Sequence, residues 1–262
     1  MRIAYRCNKK SVMLLVKVTT RRPERMRISV RDSKKPDTFY TNRWCNVNGS
    51  KTYYIRMPQS PEVGIVEVYN EKRGNLAEGQ DSSFTCVLAE QPLTASINIF
   101  TSRNRNLLSF VKFAQQFSER ASILSAGHSI YQSDDGRFRI DYLDVIRNRK
   151  NGQALRTPAR IAQKDGVIQI SKVHFKKYTV PMRMAILLHE FSHFYMNYQR
   201  DNEMEADKNA LIVYLSMGYP RIEAIQAFSE VFIGTPTDQN RERWDEIKKF
   251  INDFEDKKYK LG

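Results

Sequence analysis

The chain has 262 residues, of which 41% are hydrophobic and 11% aromatic, and it carries a formal net charge of +14. This apolar content is enough for the core of one large domain or two modest ones, which excludes an intrinsically disordered protein. No apolar stretch approaches the roughly 20 residues that a membrane-spanning helix needs, so we expect a protein that does not cross a membrane.

The positive charge is unevenly distributed. Residues 1–100 carry 17 Lys and Arg against 9 Asp and Glu, residues 101–180 carry 15 against 6, and residues 181–262 carry 11 against 14. The basic excess of residues 1–180 predicts contact with an acidic partner or with nucleic acid, although such charge also serves solubility.

The cysteines and the N-terminus bear on the compartment. Cys7, Cys45 and Cys86 are odd in number and form no CxxC pair, which favours a reducing environment. The apolar run SVMLLV has six residues before Lys17, too few for the core of a signal peptide. We therefore expect a cytoplasmic or virion-associated protein that is not secreted by a signal peptide.

Residues 1–100 predict an all-β, sandwich-like domain. Short runs rich in Val, Ile, Thr, Tyr and Phe are separated by turn signals. The strand candidates are SVMLLVKVTT, RMRISVRDS, KTYYIRMP, VGIVEVYN, SSFTCVLAE and SINIF, and the turn candidates are RRPER, KKPD, NGS, QSPE and KRGN. No motif in this domain points to chemistry, so its role stays open.

At about residue 101 the pattern changes, and residues 101–262 predict a second, α+β domain. Apolar residues at helical spacing predict a helix in NRNLLSFVKFAQQFSERASIL. The runs HSIYQS, RFRIDYLDVI and GVIQISKVHF predict three strands, with a basic loop at residues 147–158. His128 and His174 fall in these β-like runs, so we expect ordinary strand residues there.

Four helices are predicted after Thr179. Pro181 suits the first turn of one helix, and Gly218 with Pro220 suits the end of the next. The four segments are PMRMAILLHEFSHFYMNYQ, EMEADKNALIVYLSMG, RIEAIQAFSEVF and RERWDEIKKFINDFE.

The segment HEFSH carries a candidate metal site. His189 and His193 stand four residues apart, so on a helix both imidazoles can reach one metal ion. Glu190 projects beside such an ion and suits a general base that takes a proton from metal-bound water. On the next helix Glu203 offers a third ligand, and Asp207 offers an acceptor for a ring nitrogen of His189.

Two alternatives remain open for this segment. Glu205 could replace Glu203 as third ligand, because a helix turns by about 100° per residue and both cannot face the metal. The spacing to Asp207 favours Glu203. Alternatively, His189 and His193 are two partly buried helix residues whose hydrogen bonds are satisfied by carboxylates. The presence of Glu190, Glu203 and Asp207 at the spacing of a metal site makes this interpretation weaker.

HExxH followed by ExxxD or ExxAD resembles the signature of gluzincin zinc metallopeptidases, and EMEAD fits both forms of the second motif. The similarity covers roughly residues 103–232. It implies a zincin-like α+β fold with a small sheet and an active-site helix, and Zn2+ as cofactor. It also implies that His189, His193 and Glu203 are the zinc ligands and that Glu190 is the general base. Asp207 would then accept a hydrogen bond from one of the ligating histidines.

The resemblance further implies that an extended substrate lies along an edge strand, for which GVIQISK is the expected counterpart. Ser192 stands where members often have glycine, and the short interval from His193 to Glu203 requires a tight turn through NYQRDN. No oxyanion-stabilising residue can be assigned from the sequence. The tyrosine candidates, none favoured over the others, are Tyr195, Tyr198, Tyr214 and Tyr219.

The predicted function is hydrolysis of peptide bonds, in a peptide or protein substrate, by a zinc-bound water. The alternative is a structural component of a larger assembly, such as a phage tail or ring protein of a virion, that retains a metallopeptidase fold with or without activity. A third interpretation is a regulatory protease with the β-rich domain as sensor.

Overall fold

The computed structural model describes residues 1–73, 83–93, 105–127, 129–233 and 237–254. The chain has a mixed α+β fold and divides into two compact units, Met1–Ala95 with Gly218–Pro220, and Ser96–Met217 with Arg221–Gly262. None of the described helices is long and apolar enough to cross a membrane. The strand candidate SINIF and His128 lie outside the described residues.

The described strands of the first unit form one antiparallel sheet. They are β1 (Arg2–Arg6), β2 (Val12–Asp32), β3 (Phe39–Met57), β4 (Val63–Asn70) and β5 (Phe84–Pro92). β2 pairs with β3 along most of its length, with β5 along its first half and with β4 along its second. Alternate side chains such as Leu14, Val16 and Val18 are fully buried. The sandwich-like arrangement of this unit stays a prediction.

Two of the predicted turns are wrong. β2 continues through RRPER, and β3 continues through NGS. The extra residues of β2 are absorbed in a register shift between Thr20 and Glu24, and Gly49 opposite Thr20 adopts a φ of 72°. The long hairpin satisfies the backbone groups on both sides of this bulge, so the pairing overrides the local turn signals.

The second unit combines helices with a four-stranded sheet of order β6-β7-β9-β8, in which β7 and β9 are parallel and the other pairs antiparallel. Its elements are α1 (Arg105–Arg120), β6 (Ser129–Gln132), β7 (Arg139–Leu143), β8 (Ala159–Ile161), β9 (Ile168–Ser171), α2 (Lys172–Phe175), α3 (Val180–Tyr195), α4 (Glu203–Ser216), α5 (Arg221–Ile233) and α6 (Asp238–Asp253).

The segment GVIQISKVHF corrects two predictions. β9 lies between β7 and β8, so GVIQISK is not the edge strand, and β8 occupies that position. The strand also ends at Ser171, so His174 lies in the short helix α2 rather than in a strand. The turn into α2 places Phe175 in the core, where it is fully buried.

α3 runs through the core of the second unit. Thr179 caps its N-terminus by accepting a hydrogen bond from the Met182 amide, with Pro181 in the first turn. Arg183 is fully buried and donates hydrogen bonds to the carbonyls of Ser118, Phe175 and Lys176. These bonds fix the position of α3, because each leads to a neighbouring segment of the chain.

Candidate metal centre

The rotation of α3 is set by the aromatic side chain between its two histidines. Phe191 is buried and stacks on Phe110, with ring centroids 4.1 Å apart, and on Tyr195, at 4.7 Å. Because Phe191 lies about 200° around the helix from His189, packing Phe191 into the core turns His189 and His193 towards the opposite side.

Three side chains converge on that side. His189 Nε2 lies 3.1 Å from His193 Nε2 and 3.4 Å from Glu203 Oε2, and His193 Nε2 lies 3.5 Å from Glu203 Oε1. Four ligands arranged tetrahedrally at about 2.05 Å from a zinc ion are separated from one another by about 3.3 Å. The three atoms therefore have the spacing of ligands to a single small cation.

The other ring nitrogen of each histidine faces the protein. His193 Nδ1 lies 2.6 Å from the carbonyl oxygen of Arg200, to which it can donate a hydrogen bond. His189 Nδ1 lies 2.9 Å from Asp207 Oδ1, an ion-pair distance, although this nitrogen makes no hydrogen bond of good geometry. Both contacts leave Nε2 as the nitrogen available to a metal.

The loop between α3 and α4 separates the roles of the two glutamates. Asn202 caps α4 by accepting a hydrogen bond from the Glu205 amide at 3.0 Å. The Glu205 carboxylate turns back to the loop, where it accepts a hydrogen bond from the Tyr198 amide at 2.8 Å. Glu203, two residues earlier, faces the histidines, so the structure places Glu203 and not Glu205 at the site.

Arg243, on α6, also contacts the site, and no motif in the sequence signals it. It donates hydrogen bonds to both carboxylate oxygens of Asp207, and its Nη2 lies 3.0 Å from Glu203 Oε2. The Asp207 side chain is 1% exposed, so its charge is neutralised by Arg243 and His189 rather than by solvent. Arg243 and Asp207 are 36 positions apart in the chain, and no local spacing signals their contact.

Glu190 is buried beside the triad at the edge strand. Burial raises the pKa of its carboxyl group, while the two histidines and a hydrogen bond from the backbone of Ile161 act in the opposite direction. A raised pKa suits a group that must accept and then return a proton near neutral pH.

The charges of the triad are tightly coupled. Burial opposes protonation of His189, but the carboxylates of Asp207 and Glu203 outweigh it and raise the pKa of His189 to about 10. Burial also favours the neutral form of Glu203, yet His189, His193 and Arg243 hold the pKa of Glu203 well below its usual range. The site thus holds the ionised carboxylate of Glu203 beside the positive charge of His189. A divalent cation can supply that positive charge in place of the proton on His189.

A cavity of about 360 Å³ opens onto the triad. One wall is the edge strand β8 with Thr157 and Pro158 before it, and the other is α3 with Ala227 and Phe228 of α5. Glu190 and Arg243 also line it, whereas the tyrosine candidates for an oxyanion partner do not, within the lining that the described residues form. The Glu203 side chain is 41% exposed, so solvent reaches the triad.

Among the described residues, the triad is the group of His, Cys, Asp and Glu side chains with the spacing to hold a metal ion, and His174 is not part of it. No family model, curated protein or solved structure matches this chain.

Proposed function

We propose that the protein is a zinc-dependent metallopeptidase that hydrolyses a peptide or protein substrate. The observation that carries the proposal is the convergence of His189, His193 and Glu203, with separations of 3.1 to 3.5 Å, at the mouth of a cavity that Glu190 also lines. The resemblance of HEFSH and EMEAD to the gluzincin signature supports it.

Zinc is the ion that this donor set favours. Two imidazole nitrogens and one carboxylate are a known catalytic zinc set, which leaves a fourth position for water or substrate. When bound, zinc would supply the Lewis acidity that lowers the pKa of a coordinated water to about 7 and polarises a carbonyl group.

The side chains around the ligands have complementary roles. Glu190 accepts the proton of the attacking water and returns it to the leaving amine, since its carboxylate lies beside His189 in the same cavity. Asp207 orients His189, and Arg243 holds Asp207 and Glu203 in place. β8 is an edge strand, and an extended substrate can pair with those of its outward main-chain groups that Thr157 and Glu190 do not engage.

The test is cleavage of a library of internally quenched peptides by the zinc-loaded protein. We expect turnover by the wild type, and a loss of about 10²- to 10⁴-fold in Glu190→Gln with the zinc content unchanged. Glu246→Gln is the matched control, because this half-buried glutamate on α6 contacts only Lys208, at 3.4 Å, among its charged neighbours in the described chain. It should cleave as the wild type does.

A structural role in a larger assembly, such as a phage tail or ring, is the second candidate. The observation that favours it is the first unit, whose described residues contain no cluster able to hold a metal. Equal inactivity of the wild type and Glu190→Gln, with zinc retained in both, would favour this role over the peptidase.

A further inference from the structure

The segment that contains the edge strand is strongly basic. Residues 147–164 include six Lys and Arg and no Asp or Glu. Five of the six are exposed, and Arg160 is half-buried. Within the described chain none of them forms an ion pair with a carboxylate, whereas Arg137 and Arg139 nearby pair with Asp135 and Asp141. The segment therefore has positive charge available for a partner.

Arg160 connects this charge to the metal centre. Its Nε donates a hydrogen bond to Gln169 Oε1 at 2.7 Å, across the β8–β9 pair. It lines the cavity of the triad and also a second cavity of about 360 Å³, which Arg149 and Lys164 share with it. Asp165 is the one acidic residue in the second lining.

The two arginines lie close enough to influence each other. Burial and the charge of Arg149 both lower the pKa of Arg160. Like charges placed together are unfavourable in the free protein, and an acidic group between them would relieve the repulsion.

We propose that Arg149 and Arg160 select substrates that carry acidic side chains next to the bond at the metal centre, an inference that rests on the peptidase function. A peptide extended along β8 presents alternate side chains to each face of the sheet, so every second one lies on the face of Arg160. Opposite charges on neighbouring strands stabilise such pairing.

An acidic peptide fits this surface better than a nucleic acid does. Residues 147–164 contain no aromatic side chain on which a base could stack. An edge strand such as β8 is recognised by main-chain hydrogen bonds, which a peptide can form and a nucleic acid cannot.

The test measures binding, not turnover. Zinc-loaded Glu190→Gln is titrated against fluorescein-labelled peptides that differ only at four alternate positions, occupied by Glu, Gln or Lys, and anisotropy is recorded. We expect the Glu peptide to bind on the order of tenfold more tightly than the Gln peptide at low salt, and the advantage to shrink as ionic strength rises.

Adding Arg149→Gln and Arg160→Gln to Glu190→Gln should abolish the preference for the Glu peptide. Adding Lys112→Gln and Arg120→Gln instead removes the same amount of positive charge at exposed positions of α1. This control should leave the preference for the Glu peptide intact. Adding Arg149→Glu alone, at an exposed position, should shift the preference towards the Lys peptide.

Equal binding of the Glu and Gln peptides would overturn the proposal, as would displacement of the Glu peptide by an oligothymidylate that binds more tightly. A wild type that cleaves no peptide, while the preference for the Glu peptide persists, would contradict the peptidase function and leave the acidic selectivity standing.

Discussion

Arg243 donates two hydrogen bonds to Asp207, from Nε to Oδ2 at 2.8 Å and from Nη2 to Oδ1 at 3.1 Å. The same guanidinium lies 3.0 Å from Glu203 Oε2. One cation thus neutralises both the carboxylate of Asp207, which lies beside His189, and the carboxylate of Glu203, which faces the two histidines. The Arg243 side chain is only 11% exposed, so this charge is poorly replaced by water.

Replacing Arg243 should destabilise the metal-free protein more than the zinc-loaded protein. We expect Arg243→Gln to lower the free energy of unfolding by about 3 kcal/mol without metal, because it leaves two carboxylates partly uncompensated. Bound zinc supplies positive charge beside Glu203 and should reduce the loss. Urea unfolding with and without zinc measures the difference.

Arg241→Gln is the control for this comparison. Arg241 is also on α6, but its side chain is 76% exposed and pairs with Asp238. We expect a change below about 0.5 kcal/mol. Equal destabilisation by the two substitutions would contradict a role for Arg243 in holding the site together.

Asp207→Asn should weaken zinc binding without removing a ligand. An amide in place of the carboxylate orients His189 less firmly and makes its ring a poorer donor to the metal, so we expect a loss of about 10- to 100-fold in affinity. Competition with a chromophoric chelator measures it. Asp245→Asn, at an exposed position of α6, should bind as the wild type does, and an unchanged affinity in Asp207→Asn would show that the contact does not tune the site.

Removal of zinc should lower the melting temperature. A ligand present at about 100 times its dissociation constant stabilises the folded state by about 2.7 kcal/mol, which shifts the melting of a domain of this size by several degrees. Calorimetry of the protein with and without EDTA measures the shift. His193→Ala should melt at the same temperature in both conditions, and a shift as large as in the wild type would place the metal elsewhere.

The convergence of the candidate metal-binding triad could largely be predicted because its signals are local. The spacing of His189, His193, Glu203 and Asp207 follows from helix periodicity, and Thr179 and Asn202 cap the two helices that carry them. The assignment of Glu203 over Glu205 rests on the loop, where the Tyr198 amide engages Glu205.

The remainder depended on contacts between distant segments. Arg243 reaches Asp207 only because α6 packs against α4, which no spacing in the sequence encodes. The sequence points to the wrong edge strand, because ARI, residues 159–161, is too short to show a strand pattern, whereas GVIQISK shows one. Likewise, Pro23 within RRPER indicates a turn locally, but pairing with β3 on both sides of it keeps β2 continuous.

We expect Asp135 to give the second unit a pH-dependent stabilisation. The hydroxyl groups of Ser109 and Ser133, together with Arg137, hold the pKa of Asp135 well below its usual range. A lowered pKa in the folded state means that the contribution is present above about pH 4, the usual pKa of an unfolded aspartate, and is lost as the pH falls through the folded value.

Asp135→Asn should therefore lower the urea midpoint at pH 7, and the difference from the wild type should shrink below about pH 4. Asp134→Asn is the control. Asp134 precedes Asp135 in the chain, is exposed, and makes no such contacts within the described residues. A difference that is constant from pH 7 to pH 3 would contradict a stabilising role for the ionised Asp135 carboxylate.

The zinc content of three matched proteins, dialysed against a weak chelator and measured by mass spectrometry, tests the metal centre most directly. We expect one zinc per chain in the wild type and in Glu205→Ala, and none in Glu203→Ala, because only Glu203 lies at 3.4 and 3.5 Å from the two histidines. Zinc retained in Glu203→Ala, or absent from the wild type, would contradict this expectation.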